Sequence, residues 1–113
     1  MTTTKATTVG QISVTELAQR LRSPAAPLVL DVREGWERDI ARLPDTVDIP
    51  MGEVPQRLSE LPRDRAIAVL CRSGGRSQQV AGFLVSQGFA PVLNIAGGIL
   101  AWGREVDPSI PPY

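Results

Sequence analysis

The sequence predicts an α/β domain in three layers, with a mostly parallel central sheet flanked by helices. Short apolar segments alternate along the chain with segments whose apolar residues recur at helical spacing. One apolar segment, residues 66–70, is continuous, which is typical of a central parallel strand covered on both faces. The length of 113 residues suits one domain. A chain of this size buries about two-thirds of its unfolded surface, enough for a core without disulfides.

The first half of the chain contains signals for one helix and two strands. Residues 1–10 are rich in threonine, and we expect them to be a disordered lead. Ser13 and Glu16 fit a capping box, and apolar residues then follow at helical spacing as far as Leu21. This helix should end before the Ser-Pro pair at 23–24, since a residue that precedes proline avoids the helical region. The next predictions are a strand at 28–32, a polar turn or short helix at 34–39, and a strand at 46–49.

The second half of the chain continues the alternation. Residues 52–61 predict a helix with Val54, Leu58 and Leu61 directed inward, and residues 66–70 predict the central strand. A helix at 77–87 should end at Gly88, which can take the left-handed conformation. A strand at 91–95, a helix at 99–106 and an extended, proline-rich tail at 107–113 complete the domain, which is expected to span residues 11–106.

Composition excludes several classes of function. Twelve basic and twelve acidic side chains cancel, so nothing predicts binding to nucleic acid or to an anionic membrane. The chain has no histidine and one cysteine, Cys71. Cys/His zinc sites, Ser-His-Asp triads and Cys-His dyads are therefore excluded, and no metal or cofactor is expected. The absence of a long apolar stretch or an apolar signal segment predicts a protein that does not span the membrane and is cytoplasmic.

The residues after the central strand form the candidate site. Parallel sheets bind ligands beyond the carboxyl ends of their strands, and a cysteine stands there. Its neighbours are polar or small, and glycines allow backbone N–H groups to curl inward around an anion. The start of the next helix adds partial positive charge, which lowers the pKa of a thiol. A buried structural cysteine would need none of these features. The segment reads Cys71, Arg72, Ser73, Gly74, Gly75, Arg76 and Ser77.

Five segments follow one another along the chain: Asp31-Val32-Arg33-Glu34-Gly35-Trp36-Glu37, Leu43-Pro44, Ile49-Pro50, the Cys71–Ser77 segment and Gly97-Gly98-Ile99-Leu100-Ala101-Trp102. Their order resembles that of a single-domain rhodanese, over about residues 11–106. The fold that this resemblance implies is the rhodanese-like α/β fold. The implied activity is the transfer of sulfane sulfur through a persulfide on Cys71, from thiosulfate or a protein persulfide to cyanide or a thiol.

Several residues around the cysteine have expected supporting roles. The backbone N–H groups of residues 72–77 should hold a monoanionic persulfide. We expect Asp31 to brace the loop, either by pairing with Arg76 or by accepting N–H groups of the loop. Arg33 should anchor Glu37 or attract an anionic donor, with the structural role favoured. Arg72 should point outward and steer substrate.

The sequence departs from the family pattern at two places. Many rhodaneses carry Gly-His-Ile-Pro-Gly-Ala where this chain has residues 41–46, so Arg42 and Asp45 replace residues of a turn that Asp45 must now shape. The third loop position, Ser73, is neutral, whereas relatives that use thiosulfate often have a cation there. This departure favours a protein persulfide as donor.

Two other functions stay open at this stage. A rhodanese-fold cysteine phosphatase or arsenate reductase would use a Cys-x5-Arg loop, whereas this chain has Cys-x4-Arg. The shorter loop suits one sulfur atom better than four oxygens. A non-catalytic persulfide carrier or sensor module would have the same sequence features as the enzyme. The oligomeric state is not predicted.

Overall fold

A computed structural model describes residues 8–113, so the expected disorder of residues 1–7 concerns a segment outside the described residues. The sheet has five strands in the order β1-β5-β4-β2-β3, and every pairing is parallel. The predicted α/β class is confirmed. The strands are β1 (Gly10–Ile12), β2 (Leu28–Asp31), β3 (Val47–Asp48), β4 (Ile67–Leu70) and β5 (Val92–Ile95). The helices are α1 (Val14–Leu21), α2 (Gly35–Ile40), α3 (Gly75–Ser86) and α4 (Gly98–Glu105).

Each face of the sheet packs against its own apolar core. Successive residues of a strand point to opposite faces, so β4 contributes Ile67 and Val69 to one core and Ala68 and Leu70 to the other. The first core contains the inner side of α3, and the second contains α1 and α4. All four β4 residues are buried. This two-sided burial explains why the central strand is continuously apolar.

The segment after β3 differs from its prediction. The helix expected at 52–61 is wrong, because the structure has two 3-10 helices there, Met51–Gln56 and Leu58–Glu60. Pro55 lies inside the first of them and lacks the N–H group that an α-helix would use. Of the residues expected to point inward, Val54 and Leu61 are buried and Leu58 is half-buried.

Both ends of the domain also depart from expectation. Gly10, assigned to the disordered lead, instead begins β1, which pairs with β5 at the edge of the sheet. The tail after α4 is not simply extended, since Ile110 N–H donates to Asp107 O at 3.1 Å and closes a turn. The chain then returns to the carboxyl edge of the sheet, where Tyr113 meets the end of β2 and α2.

The structure confirms the predictions made for single residues at helix ends and in turns. Ser13 caps α1 by accepting the N–H of Glu16 at 3.1 Å, and Gly88 takes a left-handed φ of 90° after α3. Asp45 has a φ of 60°, as its position in place of a glycine requires. None of the helices within residues 8–113 is long and apolar enough to cross a membrane.

Candidate active site

The cysteine lies at the carboxyl end of the central strand and is buried. Cys71 directly follows β4, and 1% of its surface is exposed. Gly74 has a φ of 111°, in the left-handed region that glycine adopts without strain, and it caps the start of α3. Its N–H group donates to the sulfur of Cys71 at 3.0 Å. The loop therefore turns back on the residue from which it starts.

The start of α4 fixes the orientation of this loop. The N–H groups of Ile99 and Leu100 donate to the carbonyl oxygens of Cys71 and Arg72 at 3.0 and 3.1 Å. Gly98 lies so close to these carbonyls that a Cβ atom there would collide with them. Since the carbonyls point toward α4, the N–H groups that follow are free to turn toward the sulfur.

Burial and hydrogen bonding act on the thiol in opposite directions. Burial opposes ionisation of Cys71, but the Ser77 hydroxyl and the backbone N–H groups of Ser77, Gly74 and Ser73 stabilise the charged form. The donors outweigh burial, and the pKa of the thiol lies below its ordinary value. Three of the six expected N–H groups thus already face the sulfur, whereas those of Arg72, Gly75 and Arg76 are not among its donors.

Arg76 is held by α2. Its two terminal nitrogens donate to the two carboxylate oxygens of Glu37 at 2.7 and 2.8 Å. The expected pairing of Asp31 with Arg76 is therefore wrong, because Glu37 of α2 takes that place. The alternative is not seen either, since the hydrogen bonds to the Asp31 carboxylate within residues 8–113 all come from Arg33. The Arg76 guanidinium lowers the pKa of Glu37 to about 2, so the pair stays ionised in all but strong acid.

Asp31 pairs with Arg33, and both side chains are fully buried. The guanidinium donates to both Asp31 oxygens, with Nη2 to Oδ2 at 2.8 Å. It also donates to the carbonyl oxygens of Glu37 and Ala41 at 3.3 and 2.8 Å. Arg33 thus anchors the segment that carries Glu37, which agrees with the structural role favoured above.

Tyr113 connects these two ion pairs. Its hydroxyl accepts from Arg33 Nη1 at 3.0 Å and donates to Glu37 Oε1 at 2.9 Å. The exposed guanidinium of Arg72 lies over the Tyr113 ring, 5.3 Å from its centroid, and Arg72 Nε donates to the Tyr113 backbone oxygen at 2.6 Å. Arg72 does point outward, but the tail already binds it. We call Asp31, Arg33, Glu37, Arg76 and Tyr113 the site network.

A second set of hydrogen-bonded polar side chains, separate from the site network, reaches the sulfur from β5. The Ser77 hydroxyl lies 3.2 Å from the Cys71 sulfur and donates to Asn94 Oδ1 at 2.5 Å. Asn94 is 5% exposed and stands between the apolar residues of β5. A polar residue inside an otherwise apolar strand was the signal in the sequence that could have identified it. Tyr113 had a weaker signal, as an aromatic residue in a proline-rich tail.

The donor set around the cysteine suits an anionic sulfur rather than a metal. Within residues 8–113, no three side chains of His, Cys, Asp or Glu are grouped so that they could hold a metal ion. The sulfur, which lies at the edge of the first apolar core, contacts N–H and O–H groups of Ser73, Gly74 and Ser77 instead. Such a site can hold a thiolate or an anion formed on it.

Comparisons with known proteins agree with this geometry. The model of the Rhodanese-like domain family matches residues 13–105. A sulfurtransferase of Allochromatium vinosum is 40% identical over 104 residues, which cover 92% of this chain and 97% of that protein. The putative sulfur carrier protein YrkF of Bacillus subtilis is 36% identical over 90% of this chain and 55% of its own length. The crystal structure of a rhodanese-like domain protein from Staphylococcus aureus superposes with a TM-score of 0.80 at 28% identity, covering 87% of this chain and 95% of that one.

Proposed function

The chain belongs to the rhodanese-like domain family, and from that premise we propose that it is a sulfurtransferase that carries sulfane sulfur as a persulfide on Cys71. The observation that carries the proposal is the Cys71 sulfur itself. It is buried, it accepts the N–H of Gly74 at 3.0 Å, and its pKa is lowered by donors on three residues of the loop. A cysteine with only a packing role would not collect these donors.

The first half of the reaction needs only a thiolate and an electrophilic sulfur. The Cys71 thiolate attacks the outer sulfur of thiosulfate and forms a sulfur–sulfur bond. The bond between that sulfur and the sulfonate sulfur breaks, and its electron pair leaves with sulfite. The negative charge then resides on the outer sulfur of the persulfide, and no outside oxidant or reductant is consumed. A protein persulfide would deliver its outer sulfur in the same way and leave as a thiolate.

The second half returns the enzyme to its starting form. Cyanide or an acceptor thiolate attacks the outer sulfur, and the electron pair of the broken bond returns to Cys71. Neither half requires a proton donor for its leaving group, which suits a chain without histidine. The N–H groups of Gly75 and Arg76, in the first turn of α3, have no carbonyl partner within the helix, so they are available to the outer sulfur.

The phosphatase alternative is disfavoured by Arg76. In a cysteine phosphatase the loop arginine must point at the oxygens of a bound phosphate. Here both terminal nitrogens of Arg76 are used by Glu37, at 2.7 and 2.8 Å. The carrier alternative shares the persulfide with the enzyme and differs only in delivering it to one dedicated protein acceptor.

The test of the proposal is thiocyanate formation from thiosulfate and cyanide. The wild-type protein should form thiocyanate, and Cys71→Ser should lose the activity while keeping its circular dichroism spectrum and melting temperature. Neither protein should release phosphate from an aryl phosphate. If the folded Cys71→Ser variant still formed thiocyanate, Cys71 would not be the nucleophile. If the persulfide formed on Cys71 but neither cyanide nor a small thiol took up its outer sulfur, the chain would be a dedicated carrier.

A further inference from the structure

A chain of polar side chains leads from the buried sulfur to the edge of the sheet. The Ser77 hydroxyl contacts Cys71 at 3.2 Å and donates to Asn94 Oδ1 at 2.5 Å. Asn94 Nδ2 donates to Gln11 Oε1 at 3.1 Å, and Gln11 Nε2 donates to Gln78 Oε1 at 2.8 Å. Ser77 has no exposed surface, whereas Gln11 and Gln78 are exposed.

The sheet register explains why these side chains meet. Asn94 of β5 is paired with Gln11 of β1 on one side and with Val69 of β4 on the other. Side chains of paired residues in parallel strands point to the same face, here the face covered by α3. Cys71 lies two residues beyond Val69, and therefore on that face as well. Ser77 reaches the same point from the first turn of α3.

The Ser77 hydroxyl has one proton and two possible acceptors. In the structure that proton goes to Asn94, so the hydroxyl oxygen is left to accept from the thiol of Cys71. A charged sulfur would instead compete for the proton, since hydrogen bonds to ionised groups are stronger than neutral ones. Asn94 opposes the transfer of this hydrogen bond to the sulfur. Its carbonyl oxygen would otherwise lose its donor at a position where little water can replace it. Gln11 holds the amide in this orientation by accepting from its other end.

We infer that Asn94 is a positioning residue for the Cys71 sulfur, which acts by competing with the charged sulfur for the single proton of the Ser77 hydroxyl. The hydroxyl therefore gives the charged sulfur a weaker hydrogen bond than it would give without Asn94. The nucleophilicity of the sulfur is preserved, because a thiolate that carries more hydrogen bonds and has a lower pKa is a weaker nucleophile. The inference rests on the proposed function only in taking the charged sulfur as the reactive form.

The other charged groups near the sulfur are each held by a partner of their own. Arg76 on α3 is the charged residue that interacts with Cys71, and its partner Glu37 on α2 has a pKa of about 2. Asp31 at the end of β2 is paired with Arg33, and Arg72 of the loop is bound by Tyr113. Strands β1 and β5 and the first turn of α4 place no charged side chain there.

The experiment measures the alkylation rate of Cys71 by iodoacetamide as a function of pH. Because the chain has a single cysteine, every alkylation event reports on that sulfur. Asn94→Leu should move the inflection about one unit to lower pH, the size expected when one hydrogen bond to a charged group is gained, and should lower the plateau rate. Ser77→Ala should move the inflection to higher pH. Gln79→Leu, an exposed substitution on the same helix, should leave the profile unchanged.

The double variant Ser77→Ala/Asn94→Leu separates positioning from general loosening of the loop. Its inflection should equal that of Ser77→Ala, because without the hydroxyl there is no proton for which Asn94 and the sulfur can compete. Asn94→Ala, which adds no bulk, should shift the profile in the same direction as Asn94→Leu. An inflection that rises or stays fixed in both Asn94 variants would overturn the inference, as would an undiminished shift in the double variant. Alkylation requires no sulfur donor, so this result is independent of whether sulfur transfer is observed.

Discussion

Two arginine–carboxylate clusters in this protein have nearly the same distances and opposite surroundings. Between the two 3-10 helices, Arg57 contacts Glu53 at 2.9 Å and Glu60 at 2.7 Å, and these side chains are 34%, 58% and 47% exposed. In the site network, Arg33 contacts Asp31 at 2.8 Å with no exposure of either side chain. Exposed pairs contribute little because water and salt screen them, whereas a buried pair must stay complete.

The comparison teaches that contact distance alone does not reveal which charges matter. The surface cluster joins residues three and four positions apart on one short segment. The site network joins β2, α2, the cysteine loop and the tail. Removing one side chain of the site network therefore leaves several other buried polar or charged groups without a hydrogen-bond or charge partner. The predictions below set the two clusters against each other.

The largest effect is expected from Arg33→Ala. It leaves the fully buried Asp31 carboxylate without a partner and frees the carbonyls of Glu37 and Ala41, so the free energy of unfolding should fall by about 3–5 kcal/mol. Urea unfolding measures this loss. The matched substitution Arg57→Ala should leave the unfolding midpoint at the wild-type value. Similar midpoints for the two variants would break the comparison.

The second largest effect is expected from protonation of Glu37 in acid, which should lower the free energy of unfolding. Its pKa is about 2 in the folded protein against 4.5 ordinarily, so its contribution is complete above pH 4.5 and is lost as pH falls toward 2. A shift of this size corresponds to about 3 kcal/mol. Urea unfolding between pH 6 and about 2.5 should show a smaller acid loss in Glu37→Gln than in wild type.

The surface cluster supplies the control for the acid experiment. Glu60 also has a lowered pKa, caused by its hydrogen bonds with Arg57, but it is exposed to solvent. The unfolding profile of Glu60→Gln should therefore run parallel to that of the wild-type protein. If Glu37→Gln lost stability in acid as steeply as the wild type, the acid sensitivity would originate elsewhere.

A smaller effect is expected from Tyr113→Phe, which removes only the hydroxyl that joins Arg33 to Glu37. The ring and the backbone contact with Arg72 remain, so the loss should be about 2 kcal/mol, from two hydrogen bonds of about 1 kcal/mol each. The melting temperature measures it. An unchanged melting temperature would show that the tail lies against the site network without stabilising it.

Local sequence rules account for the part of the site built by consecutive residues. A continuous apolar strand, a cysteine, a glycine pair and an amphipathic helix predict the β4–loop–α3 unit, because each step depends on neighbouring residues. The positive φ values of Gly74, Gly88 and Asp45 follow from the same kind of local reasoning. The exception is the segment with Pro55, whose pattern of apolar residues predicts an α-helix, whereas the segment forms 3-10 turns.

Contacts between distant segments were not predictable in this way. Glu37 and Arg76 are 39 positions apart, and Arg33 and Tyr113 are 80 apart. Choosing Glu37 rather than Asp31 as the partner of Arg76 requires the distance between α2 and the loop, which no sequence pattern supplies. The short strand β1 was missed for the same reason, since three residues give little periodicity and its pairing partner β5 lies at the far end of the chain.

Intact mass measurement of the reduced protein after incubation with thiosulfate tests the central claim most directly. The account predicts a gain of about 32 Da, the mass of one sulfur atom, localised to Cys71 by peptide mapping and removed by cyanide. The Cys71→Ser variant should gain no mass under the same conditions. A wild-type protein that gains no sulfur from thiosulfate or from a small-molecule persulfide, or that gains it at a site other than Cys71, would contradict the account.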